Sequence, residues 1–206
     1  MLSPMFHQPV LSDDLVRLTP LVADDAPALE IAAVDGNLGD LWYTSTPSPG
    51  HAAAYIADAH ASQTQGLRYG YGVHDLRRGQ IVGSTSFYDI QLDVPRMAIG
   101  YTWYAASAQR TYLNSACKRL LLTHAFDTLG CATVEFHTDF HNRQSRQALE
   151  RLGARQDGIL RAHQLRHDGT LRDTVCFSIL ASEWRDVRRS LDLRIIRLLR
   201  AEQTGG

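Results

Sequence analysis

Four consecutive segments constrain this chain more than anything else in its 206 residues. "RMAIGYTWYA" (96–105) reads as a strand, because its alternate residues Met97, Ile99, Tyr101 and Trp103 are apolar or aromatic, as a buried sheet face requires. "NSACKRLLLTHAFDTLG" (114–130) switches to helical spacing. Leu121, Leu122, Ala125, Phe126 and Leu129 form its apolar stripe, with Asn114 or Ser115 to cap its start and Gly130 its end. "ATVEFHTD" (132–139) returns to strand, and "NRQSRQALERLG" (142–153) is a helix with Asn142 as N-cap and Gly153 after its last turn. A strand–helix–strand run implies a parallel pair made by a crossover.

Around that unit the pattern is antiparallel. "LVRLTPL" (15–21) is an opening strand. "LRYGYGVHD" (67–75), with Tyr69, Tyr71 and Val73 on one face, turns through "RRG" into "QIVGSTSFYDI" (80–90) and then into the strand at 96, a meander. "DDAPALEIAAVD" (24–35) and "HAAAYIADAHASQTQ" (51–65) are helical, separated by the loop "TSTPSPG" (44–50). "GILRAHQLRHDGTLRDTVCFSIL" (158–180) is a hairpin around Asp168-Gly169, a type I′ turn signal. "SEWRDVRRSLDLRIIRLLRAE" (182–202) is a helix capped by Ser182, with the stripe Trp184, Val187, Leu191, Ile195 and Leu198. The expected fold is α/β (α+β): one domain with a single mixed, mostly antiparallel sheet of about seven strands and helices on both faces.

Charged residues make up 21% and nearly cancel, at net −1, so bulk charge points to neither nucleic acid nor membrane. No apolar run is long enough to cross a membrane, and the start lacks the basic and apolar regions of a secretory signal. Three scattered cysteines, Cys117, Cys131 and Cys176, are odd in number and lack metal-ligand spacing, so no metal is expected and a reduced, cytoplasmic setting is the simplest reading. The last helix carries Arg185, Arg188, Arg189, Arg194, Arg197 and Arg200, but Asp186 lies three residues before Arg189. It reads as a solvated or homodimer-facing helix rather than a nucleic-acid site.

The loop "SAQRTYLNS" (107–115) joins a strand to the long helix. A helix start offers unpaired N–H groups and the positive end of a dipole, which suit a phosphate. Arg110 and Thr111 add a cation and a hydroxyl. The loop has no glycine, so spacing alone leaves it open between an anion site and a plain connection.

Taken in order, these segments resemble the GCN5-related N-acetyltransferase (GNAT) superfamily, in its ribosomal-protein-acetylating (RimJ/RimL-like) branch, over about residues 11 to 190. The most specific stretch is "HTDFHNRQSRQALERLGARQDGILRAH" (137–163), with an Asn, a Ser three residues on, a Leu-Gly-Ala run and a Gly-Leu-Arg-like run. The "VG" pair in 80–90, "AIGYTWY" (98–104) and "LRDTVCFSILASEW" (171–184) fall in the family's places. The resemblance implies acetyl-CoA as co-substrate and direct attack of an amine on its thioester. It implies that Gln109, Arg110, Thr111, Tyr112, Leu113, Asn114 and Ser115 form the pyrophosphate loop. Gln109 matches the family's loop pattern, whereas Tyr112 and Asn114 stand at two of its glycine positions. Strain of roughly 1–3 kcal/mol follows if Tyr112 needs positive φ, and its ring is expected to point away from the phosphates. The pantetheine arm is implied to lie between the splayed ends of "GYTWY" and "EFHTD", paired with backbone of Thr102, Trp103 and Tyr104 and bonded by Asn142.

For chemistry, Ser145 matches the hydroxyl that some relatives place near the leaving sulfur. The family's carboxylates are replaced at Arg96, Met97 and Ala98 and at Ala162-His163-Gln164. Glu135, His137 and Asp139 share one strand face, where polar groups must be paired. His137, with Glu135, is the candidate base on intrinsic pKa; His141, His163 and a water relay are the alternatives. The resemblance implies a primary amine as acceptor: a protein N-terminus by analogy, or a small amine or antibiotic. Its groove would involve the loop 39–47, with Trp42 and Tyr43, and the turn around Asp168. A non-catalytic acyl-CoA sensor is the reading from a different class.

Overall fold

The parallel step organises the sheet. A computed structural model describes residues 7–36, 44–91, 93–166 and 168–204. In chain order the elements are β1 (Leu11–Ser12), β2 (Val16–Pro20), α1 (Ala26–Val34), α2 (Ala52–Thr64), β3 (Arg68–Asp75), β4 (Gln80–Gln91) and β5 (Arg96–Tyr104). There follow α3 (Leu113–Thr123), β6 (Thr133–Asp139), α4 (Arg143–Leu152), β7 (Arg155–Leu165), β8 (Leu171–Leu180) and α5 (Trp184–Thr204). The eight strands form one sheet in the order β1-β2-β3-β4-β5-β6-β8-β7. Among the described strands only β5 and β6 are parallel, joined by the α3 crossover. The strand beyond the expected seven is β1, two residues that pair with β2.

Helices cover both faces. On one, α2 brings Tyr55 Oη to Ser84 Oγ at 3.1 Å, and α1 packs beside it. On the other lie α3, α4 and α5, where Phe126 stacks on Trp184 at 5.5 Å. Double cover explains why β3 is buried on both faces, beyond the Tyr69, Tyr71 and Val73 face that alternation gives.

Four local expectations are corrected. Tyr101 is 42% exposed, not part of the buried face of β5. Its φ of +51° and the register show a bulge: Ser84 faces Trp103 but Ser86 faces Gly100, so β5 carries one residue more than β4. A bulge turns its extra side chain out of the alternation. Gly83, opposite, allows this close approach, since a Cβ there would lie 2.1 Å from the Trp103 carbonyl oxygen.

The helix cap also shifts. Tyr112 is already helical at φ −62°, so Asn114 and Ser115 fall inside the first turn. Thr111 caps instead: its hydroxyl accepts from Leu113 N–H at 3.3 Å and donates to the Ala108 carbonyl at 2.8 Å. At the other end the helix widens into a π turn over His124–Thr128, where Leu129 N–H donates to the His124 carbonyl. The wider turn rotates the residues beyond it, so Leu129 is exposed while Leu121, Leu122, Ala125 and Phe126 are buried. Last, the β7–β8 turn is not two-residue type I′. Arg166 N–H donates to Thr170 O and Gly169 N–H to Arg166 O, closing a three-residue loop on a left-handed glycine at φ +80°. Asp168 favours it by accepting from both the N–H and the hydroxyl of Thr170.

The π turn gives a direct test. Leu121→Ala should cost about 2–5 kcal/mol as a core truncation, and Leu129→Ala only about 0.5 kcal/mol as a surface change. Urea unfolding of both variants measures this; equal losses would mean that the stripe continues straight through residue 129.

Candidate functional site

The site begins where a ladder stops. β5 and β6 pair over Arg96–Thr133, Met97–Val134 and Ala98–Glu135 and no further. β5 nevertheless runs on to Tyr104, and β6 on to Asp139. The bulge at Tyr101 diverts β5, while β6 follows β8 through Asp139↔Thr174. Past Ala98 the edge of β5, including Thr102, Trp103 and Tyr104, faces an opening instead of a strand.

At the mouth of that opening lies the loop. The N–H groups of Arg110, Thr111, Tyr112, Asn114 and Ser115 have no acceptor among the described residues. They lead into the positive end of α3. Side chains brace the loop: Gln109 Nε2 donates to the Tyr104 carbonyl at 3.1 Å, and Gln144 Nε2 reaches Gln109 Oε1 at 3.4 Å. Tyr112 is 2% exposed, and its hydroxyl donates to Asp75 Oδ1 at 2.7 Å. That removes the strain foreseen at Tyr112. The left-handed residue is Arg110, at φ +61°, and its side chain is exposed. Leu113 is fully buried and Ser115 nearly so.

Across the opening, Asn142 caps α4 by accepting from Ser145 N–H at 3.0 Å. Among the described residues its carboxamide NH2 finds no acceptor, and the hydroxyl of the half-buried Ser145 has no partner.

The α1/α2 face carries the ionisable cluster. Glu135 bridges Arg96, 2.7 Å from Oε1, and His137 Nε2, 3.3 Å from Oε2. Burial pulls the His137 pKa below its ordinary value; Glu135 and Asp89 oppose that pull without cancelling it. Tyr88 lies edge-on to both His137 and Tyr101. Tyr88, Arg96, Glu135 and His137 line a cleft of about 710 Å³ with His163 and Cys176. His163 sits in a bulge of β7, its Nδ1 3.2 Å from the Thr174 hydroxyl.

Asp139, on the same strand face, is spent on structure. Burial would raise its pKa, but the Arg166 guanidinium at 2.8 Å, the His141 N–H and Arg172 outweigh this and hold it low. The structure thus brings Glu135 and His137 together and sets Ser145 with Asn142. The two groups stand on opposite faces of the sheet. Trp42 and Tyr43 lie outside the described residues.

Two cations escaped the sequence reading. Arg68 is buried, with its guanidinium 4.0 Å from the Tyr101 ring centroid and bonded to Ser86 and Tyr55. Lys118 is buried beneath the opening. The signal for Lys118 was available: it precedes Leu121 and Leu122 by three and four residues and so lies on the apolar stripe. Arg68 left no signal beyond its place in a strand.

The thiols are poor nucleophiles, because burial raises all three and takes Cys117 up to about 12. Among the described residues no cluster of His, Cys, Asp or Glu could hold a metal, and no helix is long and apolar enough to cross a membrane.

Comparison with known proteins agrees with this geometry. Residues 16–155 match the model of the family described as "Acetyltransferase (GNAT) domain". The chain is 30% identical over 106 residues to the "Putative ribosomal N-acetyltransferase YdaF" of Bacillus subtilis (strain 168), covering 52% of this chain and 57% of that protein. Among solved structures, a GCN5-related N-acetyltransferase from Brucella melitensis superposes with a TM-score of 0.80 at 24% identity, over 92% of this chain and 86% of that one. Mycobacterium smegmatis RimJ, in complex with CoA-disulfide, gives 0.72 at 20% identity, over 90% of this chain and 93% of that one. With the family model matched over more than half its length, and the splayed parallel pair and its loop in place, this chain belongs to the GNAT acetyltransferase family.

Proposed function

We propose that the chain transfers an acetyl group from acetyl-CoA to a primary amine, with a protein N-terminus as the preferred acceptor. The observation that carries this is the pairing of two open backbone surfaces. Among the described residues the amides of 110–112, 114 and 115 lack acceptors, and the edge of β5 beyond Ala98 lacks a strand. Together they match a ligand with phosphates at one end and an amide-bearing arm at the other. Residues 109–115 would hold the pyrophosphate. Thr102, Trp103, Tyr104 and the Asn142 carboxamide would hold the arm.

Acetyl-CoA supplies the activated acetyl thioester; the chain's part is to move protons. With the Glu135 carboxylate 3.3 Å from it, Nε2 of His137 would carry the proton of the neutral ring, leaving Nδ1 to accept the amine's proton, directly or through water. Ser145 would donate its hydroxyl proton to the departing sulfur from the other face. A thiol leaves with a pKa of about 8.5, so a weak donor suffices. The new C–N bond forms as the C–S bond breaks, and one proton passes from amine to protein as another reaches the thiolate. The relatives named as ribosomal N-acetyltransferase and RimJ favour a protein N-terminus over a small amine. Three buried or half-buried thiols fit a reduced, cytoplasmic setting. Leu193 and Ile196, exposed on α5, offer the surface for a homodimer.

Three measurements test these assignments. In a thiol-release assay, peptides with free N-termini should outpace N-capped lysine peptides, polyamines and aminoglycosides. Faster aminoglycoside turnover would move the acceptor to small amines, and CoA binding with no turnover on any amine would leave a sensor.

The pH profile tests the base. Because the His137 pKa lies below 6.5, kcat should hold at neutral pH and fall as acid protonates the ring. Glu135→Gln removes an interaction that raises this pKa, so its inflection should move further toward acid. His137→Ala should lose the limb and about 10²-fold in kcat. An unchanged profile in both variants would assign proton removal to water alone.

Finally, sedimentation of the wild type and of a Leu193→Glu, Ile196→Glu variant should show a dimer becoming a monomer. A wild-type monomer at high concentration would discard the dimer.

A further inference from the structure

Lys118 is a buried charged group that the proposed chemistry does not use. It is 6% exposed on α3. Its Nζ donates to Thr102 Oγ1 on β5 at 3.3 Å and lies 5.4 Å from the centroid of Phe136 on β6. It therefore spans the two strands beyond the point where their pairing has ended. Among the described residues no carboxylate is within ion-pair distance, and the Thr102 hydroxyl is already shared with Thr85 at 2.8 Å. A buried ammonium has three protons to place, and here only one has an acceptor. An uncompensated buried cation is destabilising, so a well-packed apolar side chain would serve the fold better.

We propose that Lys118 is a binding residue for the acyl-CoA arm, donating from beneath the opening between β5 and β6 to an amide carbonyl of the pantetheine. The idea rests on the acyl-CoA reading above. The position selects the acceptor. Thr102 lies roughly 10 Å along β5 from the last paired residue, Ala98, taking about 3.3 Å per residue and discounting the bulged one. From there the strand leads on toward the loop with its free amides. A contact partway along meets the middle of the arm rather than the thioester or the phosphates. Burial also supplies a pH signature. It brings the Lys118 pKa down to about 8. The titratable group beside it is Cys117 on α3, which in turn meets Tyr104 on β5; burial raises both, and both are neutral over pH 7 to 9.5. On β6 its neighbour is Phe136, and His137 faces the opposite side of the sheet.

The test is Lys118→Met, which keeps the length and removes the charge. Three ligands are titrated against wild type and variant by calorimetry: acetyl-CoA, CoA, and adenosine 3′,5′-bisphosphate, which lacks the arm. The variant should lose roughly tenfold to a hundredfold in affinity for the first two, the range for a hydrogen bond to a charged group. Binding of the bisphosphate should hold within about twofold, since it makes no contact with the arm site. The ligand-free variant should melt higher than wild type at pH 7, because the wild-type penalty is present in full below about pH 8 and eases only as pH rises toward 10.5. In wild type, acetyl-CoA binding should weaken above pH 8, and in the variant it should not. Equal affinity of both proteins for CoA would overturn the Lys118 assignment and leave the acyl-CoA reading intact. So would equal loss of all three ligands, or a lower melting temperature, either of which would make the role structural. Failure of wild type to bind CoA would instead remove the acyl-CoA reading itself.

Discussion

The early end of the β5–β6 ladder is the constraint on which the rest of this molecule depends. Three parallel residue pairs hold the crossover together, and then the bulge at Tyr101 takes β5 away from β6. Had the ladder continued, the outer edge of β5 from Thr102 to Tyr104 would lie against a strand and the floor of the opening would be sealed. Because it stops, a sheet that is otherwise covered on both faces has a polar seam at its centre. Unpaired main-chain groups buried in a fold are rare enough to demand a partner. The loop amides at 110–115 lie at the end of the same strand, so one ligand can answer both.

The charges around this seam divide into two kinds. Asp139 is fixed by Arg166, by the His141 N–H and by Arg172 at 3.9 Å, and it ties the end of β6 to the β7–β8 hairpin. Its low pKa is a mark of structure, because every contact it makes is within the fold. Glu135 and His137 differ. They are one fifth exposed on a cleft, and His137 is held toward its neutral form by burial. A perturbed histidine on a cleft with a carboxylate behind it can move a proton. A perturbed carboxylate locked between guanidinium groups cannot.

Much of this was legible in the sequence, and the misses have physical causes. The crossover was readable because the period changes from two to 3.6 and back within 60 residues, with Asn142 and Gly153 marking helix ends that the structure keeps. The ladder's end was not readable. Tyr101 fits apolar alternation as well as any buried residue, and only its φ of +51° shows that the backbone has left the pattern. Leu129 misled for the same reason, since a π turn changes the period without changing the residue types. Thr111 was passed over as a cap because Asn114 and Ser115 are equally good candidates, and only the helical φ of Tyr112 places the start earlier. Lys118 was hidden by the habit of reading lysine as surface.

The loop without glycine shows how a side chain can replace backbone freedom. Tyr112 stands where a glycine is usual, yet its own backbone is helical and unstrained. Its phenol is anchored on Asp75, which also accepts from Arg77 and Arg78 N–H, and so fixes the end of β3 against the start of α3. The turn still needs one left-handed residue, and Arg110 takes that role at φ +61°. A non-glycine residue held there costs on the order of 1–3 kcal/mol, within reach of a hydrogen bond to a buried carboxylate at about 1.5–3 kcal/mol. The anchor therefore offsets the strain. It also sets a charged side chain at the strained position, exposed beside amides that have no acceptor. A glycine loop would supply backbone donors alone. This loop supplies the same donors on a rigid frame, and adds a cation to them.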